Sequence, residues 1–547
     1  MKKDHTMLKN GFVKGAFVTT LGIVITKILG ILYVIPFHNI IGEDGGALYG
    51  YAYTIYVLFM SLSSAGIPLA ISKIVSEYQT LGYYNAKKRA FEMGKKISLL
   101  FGFIAFLILL IFAPLIAKSV LGDLNGGNTI DDIVFVIRVM SIAILIVPVL
   151  SVYRGYFEGH RFMSPPSISQ VVEQLIRILV IILGSYLALN VFKLSLTTAV
   201  AVALFGATLG AFVSCLYLII KKRKNRKKFT ERIRTVNEPI ITNKEIIKKI
   251  VIYAFPFIMI DLFKSLYNYI DMVTVVKGLV KYAGFSVNDA ETIMSMLSTW
   301  GNKFNMIVLS ISTGVIVSLI PNLTQSVVKN DKKDINKKIC QTLNILLFLT
   351  LPMTIGISFL SKPIWFLFYG DSLYGPSVLS ILIFSGFMIA LFTAMISVVQ
   401  VLKDYKTVFW SLFVGVFLKG FLNNNLISAF YKMGLPAYYG VITASIIGYF
   451  ISFIICLVIL YYRYNISYEE VVKNVMDIIS STMIMIVGLF LMRFIVPMFS
   501  SVRIVNLFII LIYTLVGGII YLFFTYKCGV IKRIFGNKLN NIFVQKK

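Results

Sequence analysis

Charged side chains within long apolar segments are the residues of this sequence most able to do chemistry. Lys27, Lys264 and Lys419 each interrupt such a segment. Lys27 stands about twelve residues into its segment, which corresponds to roughly 18 Å along a helix at about 1.5 Å per residue. Because a charge in hydrocarbon is costly, such residues usually face a cavity and meet a counter-charge. The lysines therefore predict a binding site for an anionic group inside a membrane.

Two of the intramembrane cations have acidic neighbours at helical spacing. Asp261 precedes Lys264 by three residues and Glu173 precedes Arg177 by four, which places each pair on one helix face. These cations therefore have two interpretations, as ligands of an anionic substrate or as ion pairs that tie helices together. Lys27 and Lys419 have no acidic residue within one turn, so the substrate interpretation is favoured for them.

The elements that carry these residues are predicted to be membrane helices. Of the 547 residues, 58% are hydrophobic and 14% are charged, whereas soluble domains carry about 25% charged residues. Apolar windows of about 20 residues predict about fourteen spans of an all-α integral membrane protein. The spans fall near residues 13–36, 49–74, 97–118, 132–152, 167–189, 197–220, 249–275, 297–320, 340–360, 375–402, 407–428, 437–461, 474–497 and 504–526.

Loop charge predicts how the helices are oriented. Lysine and arginine cluster in alternate loops, such as residues 87–96, 221–228 and 329–338, whereas acidic residues such as Asp44 and Asp371 occupy the loops between them. Basic loops stay on the cytoplasmic side, so both termini are expected in the cytoplasm. The same rule explains the run 221–228 better than a nucleic-acid-binding patch does, because apolar segments flank it on both sides.

The two halves of the chain resemble each other and predict a parallel repeat. Lys27 and Lys264 fall at similar depths in the first and seventh spans, as do Arg177 and Lys419 in the fifth and eleventh, while Lys303 lies in the outer part of the eighth. We expect two pseudo-symmetric lobes around a central cavity. The division is a lobe at 1–220, a basic linker at 221–248, a second lobe at 249–462, and two additional helices with a basic tail at 463–547.

Signals of an enzyme or of a metal site are absent from the sequence. There is no phosphate-binding G-x-x-x-x-G-K-[ST] motif, and no outer loop is long enough to form a catalytic domain. The three histidines are far apart and the four cysteines have no paired spacing. The sequence therefore predicts a transporter without cofactor or metal, with coupling to the membrane potential or to a monovalent ion left open.

Three motifs carry a resemblance to a known family. They are YRGYFEG at 153–159, MSPP at 163–166 with SQVVEQLIR at 169–177, and GIPLAISK at 66–73. The chain resembles the polysaccharide-transport branch of the multidrug/oligosaccharidyl-lipid/polysaccharide (MOP) exporter superfamily. Within it, the resemblance is to the MurJ-type lipid II flippases and the stage V sporulation protein B group.

The resemblance implies how the predicted site residues act. It implies that cations of the first and eighth spans, here Lys27 and Lys303, hold the diphosphate of an undecaprenyl-pyrophosphate-linked glycan. Lys264 and Lys419 are added to this set because they lie at similar depths within their spans. Asp261, Asp271, Glu173 and Arg177 are expected to line the cavity or to take part in ion coupling. Arg154, Gly155 and Glu158 are expected to form a cytoplasmic gate or structural corner.

The resemblance implies that the protein flips a lipid-linked cell-wall precursor across a bacterial plasma membrane by alternating access. The precursor expected first is lipid II. Besides the bilayer, cell-wall synthesis enzymes are expected partners. The alternatives are transport of another lipid-linked glycan, of capsule or teichoic type, a drug antiporter and a non-transporting membrane scaffold. Drug antiporters of this superfamily normally stop at twelve spans, so the two additional helices argue against that alternative.

Overall fold

The computed structural model describes residues 25–64, 66–122, 124, 126–225 and 238–536. Residues 13–24 of the predicted first span and residues 226–237 of the predicted basic linker lie outside these residues. The described residues are mostly helical and contain no strand, so the predicted all-α fold is confirmed.

The helices follow one another with short connections. In chain order they are α1 (25–32), α2 (Val34–Ser63), α3 (Ile67–Leu81), α4 (Tyr84–Leu121), α5 (Ile130–Gly159), α6 (Ser164–Leu179), α7 (Leu196–Lys224), α8 (Asn243–Ala283), α9 (Val287–Ser295), α10 (Asn302–Val328), α11 (Lys332–Phe359), α12 (Ser361–Tyr369), α13 (Gly375–Val401), α14 (Tyr405–Lys432), α15 (Tyr438–Tyr464), α16 (Glu469–Met492), α17 (Arg503–Lys527) and α18 (Val530–Phe535). Three π-helical stretches, Val180–Gly184, Leu187–Val191 and Met296–Trp300, extend or join them.

Within the described part of the chain, 12 helical segments are long and apolar enough to cross a membrane. The predicted number of about fourteen spans remains a prediction. The boundary between the predicted first and second spans differs most from expectation. A loop was expected at 37–48, but the structure has a single turn at Gly42 inside α2, where φ is 66°. Glycine adopts a positive φ without a steric penalty, so this one residue kinks the helix.

The described chain folds into two compact units. The first comprises the described residues up to Lys277 together with Ser286–Ser298, and the second comprises Gly278–Phe285 and the described residues from Thr299 onward. The helix α8 therefore contributes to both units. The predicted lobes, divided within 221–248, remain a prediction.

In the first unit, two of the motifs that carried the family resemblance pack against each other. Gly155 and Gly159 of α5 face the start of α3. A Cβ added at Gly155 would overlap the backbone carbonyl of Pro68, and one added at Gly159 would lie 2.7 Å from the carbonyl oxygen of Ser72. The glycines of the YRGYFEG motif thus allow two helix backbones to touch.

Each unit contains the same local arrangement, which supports the predicted repeat. Before α6, the chain turns at Arg161 with φ 58°, and before α14 it turns at Lys403 with φ 60°. The hydroxyl of Ser214 donates to the carbonyl of Ser169 at 2.6 Å, and that of Ser452 donates to the carbonyl of Ser411 at 2.7 Å. Arg177 lies eight residues after Ser169, and Lys419 lies eight residues after Ser411. The two cations therefore occupy equivalent positions in the two units, as predicted.

Replacing Gly155 by alanine should destabilise the first unit, because the added methyl group would separate α5 from α3. Inserting a methyl group into such a contact costs about 1–3 kcal/mol. The midpoint of thermal unfolding of the purified protein in detergent should therefore fall. Gly314→Ala is the matched control, since a Cβ there meets nothing within 4 Å. Equal midpoints for the two variants would contradict the packing described.

Candidate functional site

The most strongly charged arrangement within the first unit is a carboxylate shared by two arginines. The Arg154 guanidinium lies 2.7 Å from one carboxylate oxygen of Glu173, and Arg177 lies 2.9 Å from the other. The three side chains are only 14–18% exposed. The predicted ion pair between Glu173 and Arg177 is therefore present, whereas no sequence pattern indicated that Arg154 of α5 joins it.

The positions of Glu173 and Arg177 depend on close packing of α6 against α7. Gly206 and Gly210 face α6, where added Cβ atoms would lie 3.0 Å from the Arg177 carbonyl oxygen and 2.7 Å from that of Glu173. On the α5 side, the Arg154 Nε donates to the Ser169 hydroxyl at 2.9 Å. The polar side of α6 is thus fixed by two neighbouring helices.

A row of tyrosines on α2 lies beside this cluster. Tyr49, Tyr53 and Tyr56 are close enough to interact electrostatically with Arg177. The Tyr49 and Tyr53 rings are stacked with centroids 5.8 Å apart, and those of Tyr53 and Tyr56 are 5.9 Å apart. These residues were not predicted from the sequence, although their spacing of four and then three residues is that of one helix face.

The predicted diphosphate ligand Lys27 belongs to the same region of the first unit. Lys27 and Gly30 are three residues apart on α1 and so share a helix face. A Cβ at Gly30 would lie 3.7 Å from the side-chain nitrogen of Gln174, which is the residue after Glu173. The helix α1 therefore approaches α6 at Gly30.

The predicted acidic and basic residues of α8 lie in the first unit as well. Asp261 and Lys264 are partly buried and interact electrostatically. Among the described residues, however, no salt bridge joins them. Asp271 lies further along the same helix and is also partly buried. Their predicted roles in binding and ion coupling stay predictions.

The predicted corner at Arg154, Gly155 and Glu158 is built from both packing and charge. Gly155 makes the close contact with Pro68, while Arg154 points to Glu173 and also interacts electrostatically with Glu158. This is the geometry of a structural corner. Its expected role as a gate remains a prediction.

In the second unit, Lys303 and Lys419 have different surroundings. Lys303 is partly buried near the start of α10. Lys419 is fully buried, and its ammonium group donates to the Ser445 hydroxyl of α15. This contact ties α14 to α15, so a diphosphate would reach Lys419 only if those helices separated.

A second feature that was not predicted from the sequence is the buried carboxylate of Glu291 on α9. The residue is 1% exposed and accepts hydrogen bonds from the Tyr51 hydroxyl at 3.1 Å and the Asn128 backbone at 2.8 Å. The Asn128 side chain also donates to it at 3.1 Å. Glu291 therefore joins three separate segments of the first unit at the end predicted to face outward. The sequence showed it only as one of several acidic loop residues.

The described residues contain no group of three or more histidine, cysteine, aspartate or glutamate side chains that could hold a metal ion. What the first unit does present is a cluster of cationic, carboxylate and phenolic groups between α2, α5 and α6. Guanidinium and ammonium groups in a partly desolvated site form strong charge-assisted hydrogen bonds with phosphate oxygens. Of the three tyrosines, only Tyr53 is exposed, whereas Tyr49 and Tyr56 are buried.

The sequence matches the family described as "Polysaccharide biosynthesis protein" over residues 12–326. It is 33% identical over 545 residues to the lipid II flippase MurJ of Bacillus subtilis (strain 168), an alignment that covers 98% of this chain and 99% of that protein. It is also 30% identical over 233 residues to stage V sporulation protein B of the same organism, covering 42% of this chain and 43% of that protein. The predicted resemblance is confirmed.

Solved structures show the same fold at low sequence identity. A lipid II flippase MurJ in an inward closed conformation has a TM-score of 0.69 at 16% identity, covering 94% of this chain and 99% of that one. An inward-facing multidrug resistance MATE family transporter of the MOP superfamily has a TM-score of 0.61 at 13% identity. That match covers 80% of this chain and 94% of the transporter.

Glu173→Gln should destabilise the protein strongly, because two mostly buried arginines would lose their shared counter-charge. Breaking one partner of a buried ion pair costs on the order of 3 kcal/mol. Thermal unfolding of the purified protein measures the effect. Glu77→Gln is the control, since Glu77 pairs with Lys249 but is 37% exposed, and exposed pairs contribute about 1 kcal/mol or less. Equal losses for both variants would show that Glu173 is not a structural centre.

Proposed function

The chain belongs to the polysaccharide biosynthesis protein family, and from this premise we propose that it is a lipid II flippase. It moves the lipid-linked cell-wall precursor from the inner to the outer leaflet by alternating access. The observation that carries the proposal is the similarity to the Bacillus subtilis flippase along nearly the whole of both chains. It is a multi-pass membrane transporter, not an enzyme.

The charge of the substrate explains why its transporter needs intramembrane cations. A diphosphate cannot enter hydrocarbon unless positive groups replace its water, and Lys27 is a partly buried cation on a helix that approaches α6. Lysine offers a single mobile ammonium group where arginine would offer a fixed two-pronged contact. Several moderate contacts suit transport, because the substrate must also be released.

The predicted residues differ in how directly they can serve this role. Lys27 and Lys264, which are only partly buried, are proposed to contact the diphosphate, and so is Lys303 in the second unit. Lys419 is proposed to act only in a state in which α14 and α15 have separated, because here it is completely buried.

Two alternative functions are transport of a different lipid-linked glycan and drug antiport. Transport of a different lipid-linked glycan uses the same chemistry, so substrate identity must come from experiment. A drug antiporter is disfavoured, because the MATE structure leaves about a fifth of this chain unmatched, whereas the lipid II flippase structure covers nearly all of it.

The proposal includes the membrane in which the protein resides, its orientation there and the energy source for transport. The protein resides in the plasma membrane with both termini in the cytoplasm, as the distribution of basic loops favours. It needs no cofactor, and either the membrane potential or a monovalent ion supplies the energy. Enzymes of cell-wall synthesis are its expected partners.

Expression of this chain in a bacterium depleted of its essential lipid II flippase should restore growth. Lys27→Ala should abolish rescue, because the charge at the diphosphate site is lost, whereas Lys27→Arg should retain much of it. Growth after depletion, with membrane abundance measured by immunoblot, provides the readout.

Lys224→Ala is the control for general loss of positive charge, since Lys224 lies at the end of α7. Failure of the wild-type chain to rescue, despite normal abundance, would favour another lipid-linked glycan. Full rescue by Lys27→Ala would show that Lys27 has a structural role and no part in binding.

Cysteine labelling tests the proposed orientation. Single cysteines placed at Asp44, Asp131 and Asp371 should react with a membrane-impermeant maleimide added to intact cells. Cysteines at Lys88, Lys224 and Lys333 should react only after the membrane is opened. Labelling at position 224 from outside would reverse the topology.

A further inference from the structure

At the end of the first unit that is predicted to face the cytoplasm, lysines from two helices meet at one aromatic ring. Lys87, Phe91 and Lys95 follow one another at intervals of four residues and so share a face of α4. The Lys95 ammonium lies 5.1 Å from the centre of the Phe91 ring, and the Lys222 ammonium of α7 lies 3.6 Å from it. Attraction to the ring holds these two cations near each other although they repel.

Further rings extend this aromatic surface along α5. Phe91 lies 5.1 Å from Tyr153 and 4.4 Å from Tyr156, and the Tyr156 ring lies 4.4 Å from that of His160. The Lys222 ammonium is also 5.0 Å from the centre of the Tyr156 ring. The position of this ammonium group is therefore fixed by packing, whereas an exposed lysine moves freely in solvent.

Other positive groups lie close to the same point. Lys88 and Lys95 are near enough to Lys222 to interact electrostatically with it. The pKa of His160 is lowered to about 4, first by burial and then by the charges of Lys87 and Lys222. The imidazole is therefore neutral at pH 7, and the lysines supply the positive charge of this cluster.

No carboxylate compensates these charges at contact distance. Within the described part of the chain, no salt bridge includes Lys88, Lys95 or Lys222, although Glu92 interacts electrostatically with Lys222. The nearby carboxylate of Glu238 is used elsewhere, since it accepts hydrogen bonds at 3.1 and 2.6 Å from two backbone amides at the start of α4. The cluster therefore has a net positive charge.

Burial distinguishes this cluster from an ordinary solvated basic face. Lys95 and Lys222 are half-buried, whereas Lys96 and Lys224 on the same two helices are exposed. Lys87 is 3% exposed and donates to a side-chain amide oxygen of α3, so it adds charge without being accessible itself. Partial burial of ammonium groups without a counter-charge is unfavourable, and a bound anion would remove that cost.

The cluster lies where a membrane surface is expected. Directly beyond it on α4, Leu99, Leu100 and Phe101 are exposed apolar residues, as expected for a helix surface in contact with lipid. Basic pockets between membrane helices on the cytoplasmic side are suited to phosphate-containing headgroups. The same position is also open to phosphorylated solutes of the cytoplasm.

We propose that Lys88, Lys95 and Lys222 form a binding site for a phosphate group, carried by an anionic phospholipid of the inner leaflet or by a small phosphorylated solute. Their ammonium groups donate charge-assisted hydrogen bonds to the phosphate oxygens. Lys87 strengthens the positive potential from behind, and the aromatic rings hold Lys95 and Lys222 in place. A bound phosphate links α4 to α7 at this end. The site is separate from the residues proposed for transport, so it does not depend on the proposed function.

Binding to the purified full-length protein in detergent tests the proposal. Native mass spectrometry compares retention of dioleoylphosphatidylglycerol with that of dioleoylphosphatidylcholine, which has the same chains and no net charge. Calorimetry measures binding of glycerol 3-phosphate, which has a phosphate and no acyl chain. Lys95→Gln/Lys222→Gln should weaken binding of the anionic ligand about fivefold per cation, or roughly 25-fold in total. Lys95→Arg/Lys222→Arg should retain most of the binding, because the charges remain.

The matched control is Lys96→Gln/Lys224→Gln, which removes two exposed cations from the same helices and should bind like the wild-type protein. Lys88→Gln, at an exposed position, should weaken binding about fivefold without affecting folding.

The two probes distinguish the possible ligands. Selective retention of the anionic lipid without binding of glycerol 3-phosphate would identify a lipid site, and binding of glycerol 3-phosphate that the Lys95 and Lys222 substitutions weaken would identify a solute site. Unchanged binding in Lys95→Gln/Lys222→Gln, an equal loss in the control, or no binding of either probe to the wild-type protein would overturn the proposal.

Discussion

The cost of placing charge inside a membrane is the constraint on which the first unit depends. Glu173 meets that cost by binding Arg154 from α5 and Arg177 on its own helix, so that three charged groups form one compact cluster. The cluster exists only because Gly206 and Gly210 let α7 approach the backbone of α6. Close helix packing and charge neutralisation therefore depend on each other here, and the tyrosines of α2 lie beside the cluster.

The second unit also places a charge within its helices, but it uses other residues. Its Ser411–Ser452 contact corresponds to the Ser169–Ser214 contact of the first unit. At the position of Arg177, however, it carries Lys419, which is buried and bound to a serine hydroxyl. One backbone arrangement thus carries the Arg154–Glu173–Arg177 network in one unit and the buried Lys419 in the other. This asymmetry suits a transporter of an anionic lipid, in which only part of the interior has to contact the headgroup.

The sequence predicted the features that depend on local pattern. Apolar windows predicted the helices, and the four-residue spacing of Glu173 and Arg177 predicted their ion pair. The sequence could not predict that Arg154 also binds Glu173, because the two residues are 19 positions apart and lie on different helices. Glu291 was missed for the same reason, since its partners Tyr51 and Asn128 come from distant segments. The helix that runs through residues 37–48 was also missed, because the polar residues of that stretch predicted a loop, whereas the structure has only a kink at Gly42.

Movement of lipid II across a bilayer, with Lys27 taking part, can be measured with purified protein in vesicles that contain lipid II. A membrane-impermeant reagent added outside the vesicles modifies the lipid II headgroup. The wild-type protein should make inner-leaflet lipid II accessible to the reagent, whereas Lys27→Ala should leave only the outer-leaflet fraction reactive. If the accessible fraction is the same with and without the wild-type protein, the chain does not move lipid II.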